Sequence, residues 1–180
     1  MQKKTTDNAK EFNDLIHYII ENPEDGMDVF YSKYSKFITS VVRAYCYSED
    51  QVNSSVNSVT IKIWRKAKSL PEIKNPYAFL YKVATNCAKD ERNVRWHLEL
   101  KEQICGGENC FAEIEETDSF NSIIKRLDID EQQIMSFRFK CGISFKDIAK
   151  MMGKPLPTIS TKYYRALEKL KKQAKNINFE

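Results

Sequence analysis

Apolar residues recur along this chain at helical spacing in two blocks, separated by a stretch in which no such rhythm persists. In the first block Val29/Phe30, Tyr34, Phe37/Ile38, Val41 and Tyr45 step by three or four positions. Val52, Val56, Val59 and Ile63, followed by Trp64, do the same. That interval puts side chains on one face of a helix. A further helix is expected from Asn75-Pro76, because Asn caps a helix start and the missing N–H of Pro has no intrahelical partner in the first turn. Its apolar stripe is Phe79/Leu80, Val83/Ala84 and Cys87/Ala88. A weaker helix, Glu11 to Ile20, comes first and stops before Asn22-Pro23. Amphipathic helices in this number can share one core.

In the second block Ile123, Leu127, Ile134 and Phe137 form the apolar face of one or two short helices. The run GISFKDIAKMMGKPLPTISTKYYRALEKLKK follows. Ser144 is placed to cap a helix over 145–152, with Ile148, Ala149 and Met152 inward and Gly153 ending it at positive φ. Pro155 and Pro157 suit the first turn of a second helix, which runs to about Lys175 and buries Ile159, Tyr163, Ala166/Leu167 and Leu170. Two helices joined by a short Gly turn, with a small residue at Ala149, make a helix-turn-helix.

Composition agrees with helices. Five glycines and five prolines are few for 180 residues, which argues against a turn-rich β-sandwich or barrel. Charge then divides the chain: net +2 over 1–94, −5 over 95–122 and +7 over 123–180. The acidic stretch contains ICGGENCFAEIEETDS and reads as a connector. The expected fold is therefore all-α, with two small helical domains over 10–97 and 121–176 joined by an acidic flexible linker over 98–120. A basic domain on an acidic tether points to an anionic partner, of which nucleic acid is the commonest large one.

Several classes are disfavoured. No apolar run approaches the ~18 residues of a membrane span, so no membrane insertion is expected. The opening MQKKTTDNAKEFND lacks the apolar core of a secretory signal, and five scattered cysteines fit reduced thiols, so the expected location is cytoplasmic. Cys105 and Cys110 are the only close pair, and with His97 as a poor third ligand they read as loop thiols rather than a metal site. There is no P-loop, dinucleotide turn, H-E-x-x-H or G-x-S-x-G, so neither a catalytic residue nor a cofactor is expected.

Two surfaces suit nucleic acid. On the last helix Thr158, Thr161, Lys162 and Arg165 form one stripe near the N-terminus, where a recognition helix presents side chains to base edges in the major groove. Lys169, Lys171, Lys172 and Lys175 follow and suit phosphates. On the Asn75 helix, Lys82, Asn86, Lys89 and Asn93 share a polar face, Tyr77, Phe79 and Tyr81 crowd the first turn, and Arg65, Lys66, Lys68 and Lys74 lie just upstream. Aromatics interleaved with Lys, Arg and Asn are what a single strand requires, since bases stack on rings and cations follow phosphates. Aromatics at helical spacing are equally what a core requires.

In order and spacing, FYSKYSKFITSVVRAY, VTIKIWRKA and NPYAFLYKVATNCAKDERN resemble the second domain of bacterial sigma-70 family factors, and GISFKDIAKMMGKPLPTISTKYYRALEKL resembles the fourth. The match is to the short extracytoplasmic-function (ECF) type and covers roughly 27–95 and 121–172. It implies a chain that performs no catalysis, binds core RNA polymerase and directs it to promoter DNA. By resemblance, Thr158, Ser160, Thr161, Lys162, Arg165 and Lys169 would read the −35 duplex. Arg65, Lys68, Lys74, Tyr77, Lys82, Asn86, Lys89 and Arg92 would hold the opened −10 strand. Asn53, Ser54, Asn57, Ser58 and Ile61 would meet core polymerase. An anti-sigma factor joins the expected partners on the same ground.

Two features depart from the family. The polymerase-facing helix usually carries acidic residues and a Gln, whereas VNSSVNSVT has no carboxylate. Neutral hydrogen bonds are about half as strong as charge-assisted ones, which implies a contact that is weaker, differently directed or dependent on a helper. KPLPT lacks the usual Ser or Asp before the recognition helix, so a distorted first turn is expected there. A DNA-binding regulator with no polymerase role is the alternative, separated from the first reading by binding to core polymerase.

Overall fold

The computed structural model describes residues 2–104 and 119–177, with side chains over 7–93 and 120–172. The chain forms two compact units, Met1–Ala112 and Glu113–Glu180, and among the described residues there is no strand. The first unit holds α1 (Gln2–Glu21), α2 (Pro23–Val42), α3 (Glu49–Lys66), a single 3₁₀ turn over Ala67–Ser69, and α4 (Pro76–Ile104).

The helix boundaries follow from local chemistry. Pro23 opens α2 directly after Asn22, so α1 and α2 are separated by one residue. Ser48 caps α3 by accepting from the Gln51 N–H at 3.3 Å. Glu49 and Asp50 occupy its first turn and Arg65 and Lys66 its last, each sign favoured by the partial charge of that helix end. Asn75 Oδ1 accepts from the Ala78 N–H at 3.1 Å, closing the start of α4 as its Asn-Pro sequence predicts. The core collects Phe12, Ile19, Phe30, Ile38, Val41, Val52, Val59, Ile63, Leu80, Ala84 and Ala88, all essentially inaccessible. Burying each of the larger side chains contributes about 2 kcal/mol, which outweighs helix propensity as the source of stability.

Two contacts have no periodic signature. Gly26, in the first turns of α2, is buried against α1: a Cβ there would lie 2.7 Å from Ile19 Cα. Asn13 on α1 holds the backbone of Ile73 in both directions, accepting from its N–H at 2.9 Å and donating to its carbonyl at 3.2 Å. The segment between α3 and α4 is thereby tied to the first helix.

The second unit holds α5 (Ser119–Ile124), α6 (Ile129–Phe139), α7 (Phe145–Met152) and α8 (Leu156–Ile177). Asp128 caps α6 in a reciprocal box: its carboxylate accepts from the Glu131 N–H at 2.8 Å, and Glu131 Oε2 accepts from the Asp128 N–H at 3.3 Å. Ile124, Leu127, Met135 and Ala166 form one core cluster, with Phe120, Tyr163, Leu167 and Leu170 packed on it.

Some expected faces are displaced by one residue. Ile124 is buried and Ile123 is 53% exposed; Met151 is buried and Met152 only partly so. Adjacent apolar residues sit about 100° apart on a helix, and the neighbouring helix selects between them. Val29 and Trp64 likewise point outward beside buried Phe30 and Ile63. Helix α4 continues to Ile104, past the boundary expected at 97. Most of the expected linker, including Cys105 and Cys110, lies outside the described residues, as does the side chain of His97. Among the described residues no helix is long and apolar enough to cross a membrane.

Candidate nucleic-acid interface

The helix-turn-helix is built by three local devices. Ser144 Oγ accepts from the Asp147 N–H at 3.2 Å and donates to Asp147 Oδ2 at 2.6 Å, starting α7. Gly153, at φ 64°, ends it in the left-handed conformation that only glycine adopts without strain, and its N–H bonds to Ala149 O. Helix α8 then starts without a side-chain cap, its first backbone bond running from Ile159 N–H to Pro155 O at 3.2 Å. The expected distortion is absent. Proline fixes φ near the helical value, so its first turn is already organised without a polar cap.

Helix α8 buries Ile159 and Ala166 completely. Thr158, Thr161 and Arg165 are exposed on the opposite side, together with Tyr164 at 60%. The other members of the expected set behave differently. Ser160 Oγ donates back to the carbonyls of Leu156 and Pro157, at 3.2 and 3.0 Å, which directs its hydroxyl along its own helix. Lys162 Nζ donates to Asp130 Oδ2 at 2.8 Å, and Lys169 Nζ contacts both oxygens of Glu131, at 2.7 and 2.8 Å. Burial raises the Asp130 pKa, but hydrogen bonds from Lys154 and Lys162 more than offset it and hold the carboxyl below its ordinary value. Lys162 is held above its ordinary value by the hydrogen bond to Asp130, against the opposing effect of burial.

In the first unit, Lys82, Asn86, Lys89 and Asn93 are exposed along α4 as their spacing requires. Lys89 Nζ lies 5.8 Å from the centre of the Tyr45 ring. Arg65, Lys68 and Lys74 are exposed and Arg92 partly so. Tyr77 departs from the expectation. Its ring meets Phe37 edge-on at 5.1 Å and Tyr34 at 6.2 Å, while Phe79 meets Phe12 at 6.1 Å. Packing these rings against α1 and α2 removes apolar area from water, so two of the three first-turn aromatics serve the core.

On α3 the outward residues Asn53, Asn57, Ile61 and Trp64 follow one another at helical spacing, with Ser54 and Ser58 half-buried beside them. Ile61 is 46% and Trp64 53% exposed, so this face is neutral with apolar area at one end.

Residues 123–172 match the family described as Sigma-70, region 4. The chain is 21% identical over 191 residues to the ECF RNA polymerase sigma-E factor of Haemophilus influenzae, covering 93% of this chain and 95% of that protein. Residues 123–172 thus carry a sigma-70 region 4 domain, and along nearly its whole length the chain is similar to ECF sigma factors. Solved structures agree at the level of fold. CnrH, in complex with the cytosolic domain of CnrY, superposes with a TM-score of 0.62 at 16% identity, covering 91% of this chain and 97% of that one. The sigma factor RpoE of Bartonella quintana, in complex with the anti-sigma factor NepR, gives 0.59 at 17% identity over 81% and 96%.

The outward Trp64 and the three acids at the start of α6 leave no mark in the sequence pattern. Trp64 follows an apolar run and reads as core. Asp128, Asp130 and Glu131 read as ordinary first-turn carboxylates, and nothing in their spacing ties them to lysines more than twenty residues away.

Proposed function

We propose that this chain joins core RNA polymerase through its first unit and directs initiation by holding promoter DNA at two places. The second unit presents Thr158, Thr161 and Arg165 to the −35 duplex, with Lys171 and Lys172 following on exposed positions for phosphates. In the first unit the α4 face of Lys82, Asn86 and Lys89, with Arg65, Lys68, Lys74 and Arg92, holds the opened −10 strand. The outward face of α3 docks on polymerase, Ile61 and Trp64 supplying apolar area where carboxylates are missing. The chain carries no chemistry of its own and acts in the cytoplasm. An anti-sigma partner fits the same reading, since RpoE of Bartonella quintana binds one.

The observation that carries this reading is the pairing of an exposed Thr158–Thr161–Arg165 stripe on a Gly-turned helix with a second polar face on α4, in a chain matched along 93% of its length by an ECF sigma factor. Run-off transcription with purified core polymerase and a promoter library tests it. Transcripts should start at a defined subset of promoters only when the chain is added. An identical transcript pattern without it overturns the reading, and promoter binding that needs no polymerase favours a free-standing regulator.

The strand role has its own test. Replacing Lys82 or Asn86 by Ala should reduce transcription about tenfold, the effect of losing a hydrogen bond to a charged group at about 1.5 kcal/mol. A template already melted at the −10 element should restore it. Equal loss on both templates refutes a role in holding the opened strand.

A further inference from the structure

The start of α6 carries three carboxylates, and each meets a lysine of the helix-turn-helix. Asp130 Oδ2 accepts from Lys162 Nζ at 2.8 Å and also pairs with Lys154, in the turn after Gly153. Asp128 Oδ2 lies 3.7 Å from the same Lys162. Two turns further along α8, Lys169 pairs with Glu131, whose carboxylate is only 4% exposed and also closes the α6 cap. One acidic helix end thus fastens the turn and two successive levels of the recognition helix.

Resting on the proposed −35 role, we propose that Asp130, with Asp128 and Glu131, positions the recognition helix and withdraws Lys154, Lys162 and Lys169 from the duplex, leaving Thr158, Thr161 and Arg165 as the base-reading set. The physical argument is one of competition. A lysine that already donates to a partly buried carboxylate gains little by exchanging it for an exposed phosphate, because the carboxylate left behind loses its partner in a poorly solvated place. Asp130 at 28% and Lys162 at 28% side-chain exposure are in that position; Lys169 is half-exposed, but its partner Glu131 is not. Phosphate contacts add affinity for any sequence, whereas base contacts discriminate. Withholding three cations therefore lowers sequence-independent affinity and raises the share of binding that reads bases. Fixing α8 to α6 at two levels also sets the angle at which Thr158, Thr161 and Arg165 are offered.

The test uses the full chain assembled with core polymerase, on promoter duplexes with a matched or a scrambled −35 element, titrated between 50 and 200 mM salt as in the usual range for such slopes. Lys162→Met should leave the salt dependence unchanged. Asp130→Asn should steepen it by about 0.9 per released lysine on both duplexes and lower the matched-to-scrambled affinity ratio. Asp130→Glu should keep the wild-type ratio. A Lys162→Met slope flatter by about 0.9 places that amine on a phosphate and overturns the proposal. So does an Asp130→Asn protein that is weaker on both duplexes at an unchanged slope, the signature of a merely structural role. The Lys162→Met measurement stands even if Asp130→Asn fails to fold, because Asp130 then keeps Lys154. Wild-type chain that cannot tell the two duplexes apart would instead overturn the −35 reading itself.

Discussion

Arg165→Ala should lower transcription from −35-dependent promoters by up to about a hundredfold while leaving assembly with core polymerase unchanged. A guanidinium that meets a guanine edge with two hydrogen bonds discriminates by about 1–3 kcal/mol. Arg165 is the cation of the Thr158–Thr161–Arg165 stripe, exposed on α8, whereas Lys162 and Lys169 are turned to α6. The loss should be specific to one base position: a promoter altered there should be transcribed equally by wild type and variant. Lys171→Ala, six residues further along α8, should weaken binding by a similar factor on every sequence. Two measurements decide the matter, run-off output on promoters altered singly in the −35 element and affinity for core polymerase. Arg165→Ala protein that fails to bind polymerase would place the residue in the wrong interface.

Gly26→Ala should destabilise the first unit by about 2 kcal/mol, although the same change in an open helix stabilises by about 1 kcal/mol. The inversion of sign comes from α1. The new methyl would lie 2.7 Å from Ile19 Cα and 2.9 Å from Ile19 N, and backbone atoms cannot rotate aside. Helix α1 would have to shift, loosening Phe12, Leu15, Ile16 and Ile19, all of which it buries. Thermal unfolding of the full chain should show a midpoint lowered by several degrees, with no change in sequence preference of the folded protein. A midpoint equal to or above wild type would show that α1 yields without cost.

Much of this architecture is readable from short-range chemistry. Ser144, Gly153, Asn75-Pro76 and the Asn22-Pro23 break mark helix ends because each acts within a few residues of itself. What escapes is chemistry acting between helices. Gly26 looks like a weak helix residue until α1 is seen against it. Tyr77 belongs equally to a base-stacking surface or a core, and its rings of contact, Phe37 and Tyr34, lie some forty residues earlier. Lys162 sits at the edge of the outward stripe, where a small rotation of α8 decides between duplex and carboxylate; the acids that decide it come from α6. The candidate DNA surface was therefore legible as a face of a helix, but its membership was not.

The neutral Asn53–Asn57–Ile61–Trp64 face of α3 has a consequence for how the proposed assembly comes apart. Attraction between ionic groups fades as electrolyte accumulates, whereas contacts made by Asn, Ile and Trp scarcely notice it. With polymerase docked on that face as proposed, a cell whose interior grows saltier would see this chain release its gene before it releases the enzyme that carries it, leaving the pair to search for a new start site together.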